Sequence, residues 1–122
     1  MKKVLIVDDE EDFLFFLKKN LEKDSGLAIR ICSDARLALK TACEFVPDLI
    51  FLDILMPEIS GPELARDLKK QEQTAKTPIV FLTALSPPEA LDNIGEQIPD
   101  PLIITKPISM SSLILMIEKL LA

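Results

Sequence analysis

Two adjacent carboxylates, Asp8-Asp9, follow directly on the apolar run Val4–Val7, and a third, Asp53, follows the run Leu49–Leu52. Thr83 closes another run, Ile79–Leu82, and Thr105-Lys106-Pro107 closes Leu102–Ile104. If these runs are strands of one sheet, three carboxylates, a hydroxyl and an ammonium converge at one end of it. Clustered carboxylates repel and cannot all stay ionised without a cation. An oxygen-only site with few ligands suits Mg²⁺, which keeps waters and shares substrate phosphate oxygens. Beside such an ion a carboxylate can attack phosphorus, which is covalent catalysis by Asp. Lys106 can supply a second positive charge to a phosphoryl group, and Thr83 a hydroxyl hydrogen bond.

The elements that must hold these residues are legible in the apolar pattern. Continuous apolar runs suit strands buried on both faces of a parallel sheet. Leu27–Cys32 is mixed, with Arg30 in the middle, and is predicted to be an edge strand. Helices are predicted over Glu10–Lys23, stopped by Gly26, and over Ala35–Phe45, ending before Pro47. Three more are predicted over Pro62–Lys70, Pro88–Gln97 and Ser112–Leu121, with Pro62 at a first helical position. The first helix should face inward through Phe13, Leu14, Leu17 and Leu21, leaving Phe15 outside. The second should do so through Leu37, Ala38, Thr41 and Ala42. In the last, Met110, Leu113, Ile114, Ile117, Leu120 and Leu121 should face the sheet, with Leu115 off that stripe.

Strand then helix, five times over, predicts an α/β fold with a doubly wound, five-stranded parallel sheet and right-handed crossovers. The working site of such a fold lies at the carboxyl ends of the strands. The length fits one domain over residues 1–122.

Each site residue alone has a plainer explanation. Asp8 or Asp9 can cap the first helix, Asp53 can begin a loop, Thr83 is ordinary at a strand end, and Lys106-Pro107 can be a turn. The joint pattern makes coincidence a poor explanation: acids after the first and third strands, Thr after the fourth, Lys-Pro after the fifth.

A formal net charge of −6 argues against nucleic-acid binding by this chain alone, since phosphate backbones need a basic face. The chain has no histidine, which excludes histidine acid–base catalysis, histidine metal ligands and phosphohistidine donation. Cys32 and Cys43 stand among apolar neighbours at no metal-ligand spacing and read as reduced, buried thiols. The basic, then apolar, start is far too short for a signal peptide, and no segment approaches a membrane span. A cytoplasmic protein is expected.

Val7-Asp8-Asp9, Pro47-Asp48-Leu49-Ile50-Phe51-Leu52-Asp53 with Met56-Pro57, Thr83-Ala84, and Lys106-Pro107 resemble the receiver domains of bacterial two-component response regulators. The resemblance, with the chemotaxis regulators among others, runs along essentially the whole chain. It implies the flavodoxin-like receiver fold with strand order 2-1-3-4-5. It implies that Asp53 is the phosphoacceptor, that Asp9 contacts Mg²⁺ directly, and that Asp8 acts mainly through water. It further implies that the backbone carbonyl of Leu55 is a metal ligand and that Thr83 and Lys106 bind phosphoryl oxygens. Lys106-Pro107 should be a cis peptide. The implied partner is a histidine kinase or phosphotransfer protein meeting the first helix, where Phe15 becomes a docking candidate. The fifth strand and last helix become the output surface and a possible homodimer interface.

The sequence also departs from the family. Ile59-Ser60-Gly61 stands where Met-Asp-Gly is frequent, and Gln97-Ile98-Pro99-Asp100-Pro101 replaces the usual Gly-Ala segment. Ile103 occupies the place of a Tyr or Phe whose rotation accompanies activation. Two residues beyond the acceptor and the Thr are Leu55 and Leu85, neither able to orient a water, so a long-lived phosphorylated state is expected. Three other readings compete. A receiver that only dimerises would not need all five site residues. An Asp-nucleophile phosphatase places its second acid two residues after the nucleophile, unlike Asp8-Asp9-Glu10. A flavin domain needs a phosphate-cradling loop where this chain is acidic.

Overall fold

The computed structural model describes residues 1–122, except for the side chains of Asp24 and Ser25. The chain alternates β1 (Lys3–Val7), α1 (Glu11–Ser25), β2 (Ala28–Cys32), α2 (Ala35–Phe45), β3 (Leu49–Asp53), α3 (Gly61–Lys69), β4 (Ile79–Thr83), α4 (Pro87–Ile94), β5 (Leu102–Thr105) and α5 (Met110–Leu121). The five strands form one parallel sheet in the order β2-β1-β3-β4-β5, as expected.

The continuous apolar runs are explained by the two layers of helix. Side chains alternate across a strand. Leu5, Val7, Ile50, Leu52 and Phe81 therefore enter one core, packed with α2, α3 and α4 residues such as Ala38, Leu64 and Ala90. Val4, Ile6, Leu49, Phe51, Val80 and Leu82 enter the other, with Leu14 and Leu17 of α1 and Leu113 and Ile117 of α5. Both faces are covered, so neither can be polar.

The helix boundaries follow local chemistry. Gly26 ends α1 in the left-handed conformation (φ 64°), where a side chain is disfavoured. Asp34, Ser60, Ser86 and Ser109 cap α2 to α5, each accepting a backbone N–H of the first turn. α1 alone begins without a side-chain cap, at Glu10.

Several expectations need correction. β5 is not buried on both faces: Leu102 is exposed and Ile103 and Ile104 are only half-buried. Only β4 pairs with it, so it is an edge, as β2 is. Leu37 is exposed, because α2 meets the core through the small residues Ala35, Ala38 and Ala42. Cys43, one step round the helix from Ala42, is half-buried; Cys32 is buried, and both thiols are free. α4 stops at Ile94, before Gly95, rather than at Gln97. The expected α5 stripe holds in outline, with Leu113 and Ile117 fully inside and Leu115 well exposed. Among the described residues, no helix is long and apolar enough to cross a membrane.

Candidate functional site

The carboxyl ends of β1 and β3 bring the three acids together. Oxygens of Asp8, Asp9 and Asp53 all lie within 4.8 Å of one another. Asp8 is fully buried and Asp53 is 7% exposed, while Asp9 is exposed. The donor set is oxygen only and carries more negative charge than its one close ammonium balances. It therefore fits a small hard cation such as Mg²⁺.

That ammonium is Lys106. Its Nζ stands 2.6 Å from Asp8 Oδ2, 3.4 Å from Glu10 Oε1 and 3.9 Å from Asp53 Oδ2. It also lies over the Phe13 ring, 4.4 Å from the centroid. The backbone N–H of Lys106 donates to the Thr83 carbonyl at 2.7 Å, so the ends of β4 and β5 hold the lysine at the pocket. Lys106-Pro107 is cis.

Asp8 does not cap the helix, contrary to its plainer reading. Its Oδ1 accepts the Glu10 N–H at 2.9 Å and its Oδ2 takes Lys106. α1 thus begins without a side-chain cap while the acids before it serve the pocket. A local rule broken at one place is what a functional constraint looks like.

Thr83 is buried, one residue beyond Leu82, the β4 residue paired with Asp53. Its Oγ1 accepts the Leu85 N–H at 3.0 Å, so its own proton remains available to donate. Leu55 lies just past β3 with its side chain 54% exposed. Nothing in the spacing of residues marks Glu10 or Phe13 as neighbours of Lys106. Both lie in the helix start, where acids and aromatics have ordinary uses. Phe16 was missed too: it is 53% exposed and lines a cleft of about 460 Å³ with Phe13, Ala84, Lys106, Pro107 and Ile108. Phe15, also exposed, lines a separate cleft with Ile31 and Ser33 on the β2 side.

Burial, then the neighbouring charge of Asp8, raises the Asp53 pKa from 3.8 to about 7; Lys106 opposes this and Asp9 adds to it. Burial raises Asp8 as well, against the hydrogen bonds from Lys106 and the Glu10 N–H. For Lys106, burial works against the charge, but the bond to Asp8 and the charges of Asp53, Asp8 and Glu10 outweigh it and raise its pKa.

A stability slope follows. Between pH 3.8 and about 7 the folded protein keeps a proton on Asp53 that the unfolded chain releases. Its favourable contribution is complete below that window and is lost as pH rises through it. In divalent-free buffer, urea midpoints should fall from pH 6 to pH 8, and Asp53→Asn should flatten that fall. Equal slopes in the two proteins would contradict it.

Residues 4–118 match the response regulator receiver domain family. The chain belongs to that family. Its acidic pocket, Asp8, Asp9 and Asp53, is the receiver's pocket for phosphoacceptance and a triad typical of Mg²⁺-binding receiver sites. Receivers are generally signalling modules, catalytic only in their own phosphorylation and dephosphorylation.

Among curated proteins, this receiver is 43% identical over 83 residues to the alkaline phosphatase synthesis transcriptional regulatory protein PhoP of Bacillus subtilis, covering 68% of this chain and 33% of PhoP. The chain spans 33% of the length of this first curated relative, 24% of a second and 6% of a third. Among solved structures, chemotaxis protein CheY4 of Vibrio cholerae superposes with a TM-score of 0.87 at 29% identity, covering 98% of each chain. Response regulator TrrA of Thermotoga maritima, in complex with Mg²⁺ and BeF, superposes with a TM-score of 0.83 at 32% identity, covering 98% of this chain and 99% of that one. TrrA has also been crystallised in complex with the histidine kinase ThkA.

Proposed function

We propose that residues 1–122 form one receiver domain that accepts a phosphoryl group on Asp53 and signals through the resulting change of surface. The observation that carries this reading is the buried Asp53 carboxylate beside Asp8 and the Lys106 ammonium. An Asp53 oxygen bonds to phosphorus as the bond from phosphorus to the donor breaks, and the donor leaves with that electron pair. Lys106 and the Thr83 hydroxyl bind the phosphoryl oxygens, where their charge and dipole act with little reorganisation. Asp9 and Asp53, the Leu55 carbonyl, and Asp8 through water would hold Mg²⁺, which would neutralise charge on the phosphoryl oxygens.

Incubation with acetyl phosphate and Mg²⁺ should add one phosphoryl group by intact mass, labile to acid and base. Excess EDTA should abolish the gain. Unchanged labelling in EDTA would contradict the cation requirement.

With no histidine in the chain, the donor is a histidine kinase, a phosphotransfer protein or a small phosphoanhydride. The exposed Phe15 and Phe16 of α1 suit a protein donor, and Phe16 has the better position because it borders Lys106. The output surface is β5 with α5, where Leu102 and Leu115 stand exposed, and a homodimer through this face is the simplest assembly. No nucleic acid is bound by this domain itself, and the free thiols suit the cytoplasm.

The phosphorylated state should be long-lived. Leu55 is exposed, and Leu85 is half-buried against the core. Neither side chain can hydrogen-bond a water in line with the Asp53–phosphorus bond. Leu55→Asn with Leu85→Glu should speed phosphate loss about tenfold by orienting that water. Equal decay in the wild type, both single mutants and the double mutant would show that these leucines do not gate it.

A further inference from the structure

We propose that Phe13 is a positioning residue for phosphoacceptance, holding the Lys106 ammonium over the pocket through the face of its ring. The inference rests on the reading of Asp53 as acceptor and Lys106 as phosphoryl ligand.

Lys106 has three N–H donors to share between holding its place and binding a phosphoryl oxygen. Before a phosphoryl group arrives its Nζ is held by Asp8 at 2.6 Å and Glu10 at 3.4 Å. To serve the reaction it must keep its third N–H turned toward an oxygen on Asp53, whose own Oδ2 now lies 3.9 Å away. A third carboxylate anchor cannot hold the ammonium without taking the one N–H left for the phosphoryl oxygen. An aromatic face can. It attracts the ammonium through its quadrupole, with no single N–H fixed toward it. The Phe13 centroid is 4.4 Å from Nζ, well inside the range of that attraction.

The surroundings favour this use of the ring. Phe13 is half-buried and packs against the core of the α1 and α5 side, so its ring is held rather than free. The Lys106 side chain is only 14% exposed, so water competes weakly for the ammonium. Phe13 also begins the inward stripe of α1, which continues through Leu14, Leu17 and Leu21. Packing alone would accept Leu or Met there. The ring–ammonium contact is what an aliphatic residue cannot supply.

The test compares Phe13→Leu, Phe13→Met and Phe13→Tyr with wild type, using acetyl phosphate and Mg²⁺ so that no docking partner enters. Initial rates of phosphate incorporation should fall about 3- to 10-fold for Leu and Met and stay within about twofold for Tyr. In NMR spectra of the unphosphorylated protein, the Lys106 ε-methylene protons should be shifted upfield by the ring in wild type and Phe13→Tyr, and not in Phe13→Leu. Wild-type rates in Phe13→Leu, or an equal fall in Phe13→Tyr, would overturn the proposal, the latter showing a packing effect. Absence of the upfield shift in wild type would overturn it as well. Should no protein take phosphate while the shift is present, the acceptor reading fails and the positioning role with it, although the contact stands.

Discussion

Asp53→Asn should lower phosphate incorporation from acetyl phosphate by about a thousandfold or more, leaving the fold intact. The substituted amide has the volume and planarity of the carboxylate but neither its charge nor its nucleophilic oxygen. Nothing else in the pocket can take over. Asp8 is fully buried and its two oxygens are committed to the Glu10 N–H and to Lys106. Asp9 is exposed at the rim. Above pH 7 in divalent-free buffer the mutant should also be at least as stable as wild type, since it removes a buried like charge beside Asp8. That second property separates loss of chemistry from loss of structure. Intact mass after incubation and a urea melt check the pair. Full incorporation in the mutant would refute the assignment of the acceptor.

Gly61→Ala should cost about 2–4 kcal/mol of stability and slow phosphoryl transfer as well. Gly61 opens α3, and its N–H donates to the Ile54 carbonyl at 2.8 Å. A Cβ built there runs into the backbone carbonyl of Asp53, and next into the start of Ile54. The obstacle is main chain, so no rotamer relieves it. The loop after β3 must shift, and Asp53 sits at the end of β3. Misplacement of a reacting group by about 1 Å can cost about a hundredfold in rate. The two effects should therefore appear together, in denaturant midpoint and in initial rate. A Gly61→Ala protein with wild-type midpoint and rate would show that the loop gives way freely.

Much of this was legible in the sequence, for a physical reason. A strand covered on both faces must be apolar throughout, so the first residue that is not stands out. Asp8, Asp53 and Thr83 each end such a run, and Lys106 comes just after Thr105 in another. The alternation of strand and helix then placed them at one end of one sheet. What failed lay where a pattern has two solutions. Leu37 and Ala38 are neighbours on α2, and helical spacing does not say which turns inward; the close packing of α2 chose the alanines. Leu102–Ile104 reads as a strand buried on both faces, but its exposure follows from its place at the edge of the strand order and not from its own residues. The partners of Lys106 were hidden for a different reason. Glu10 and Phe13 are far from it in sequence, and each has a routine role in a helix start. Only the folded chain brings the ring beneath the ammonium.

Phosphoacceptance at Asp53 comes down to one bond, between phosphorus and an oxygen of that side chain. Protein phosphorylated with acetyl phosphate and Mg²⁺, reduced with borohydride and digested, reports that bond directly, because reduction converts an aspartyl phosphate to homoserine. The account predicts homoserine at position 53 and unmodified aspartate at positions 8 and 9. Homoserine at either of those positions, or a phosphorylated protein that yields none at position 53, would contradict it.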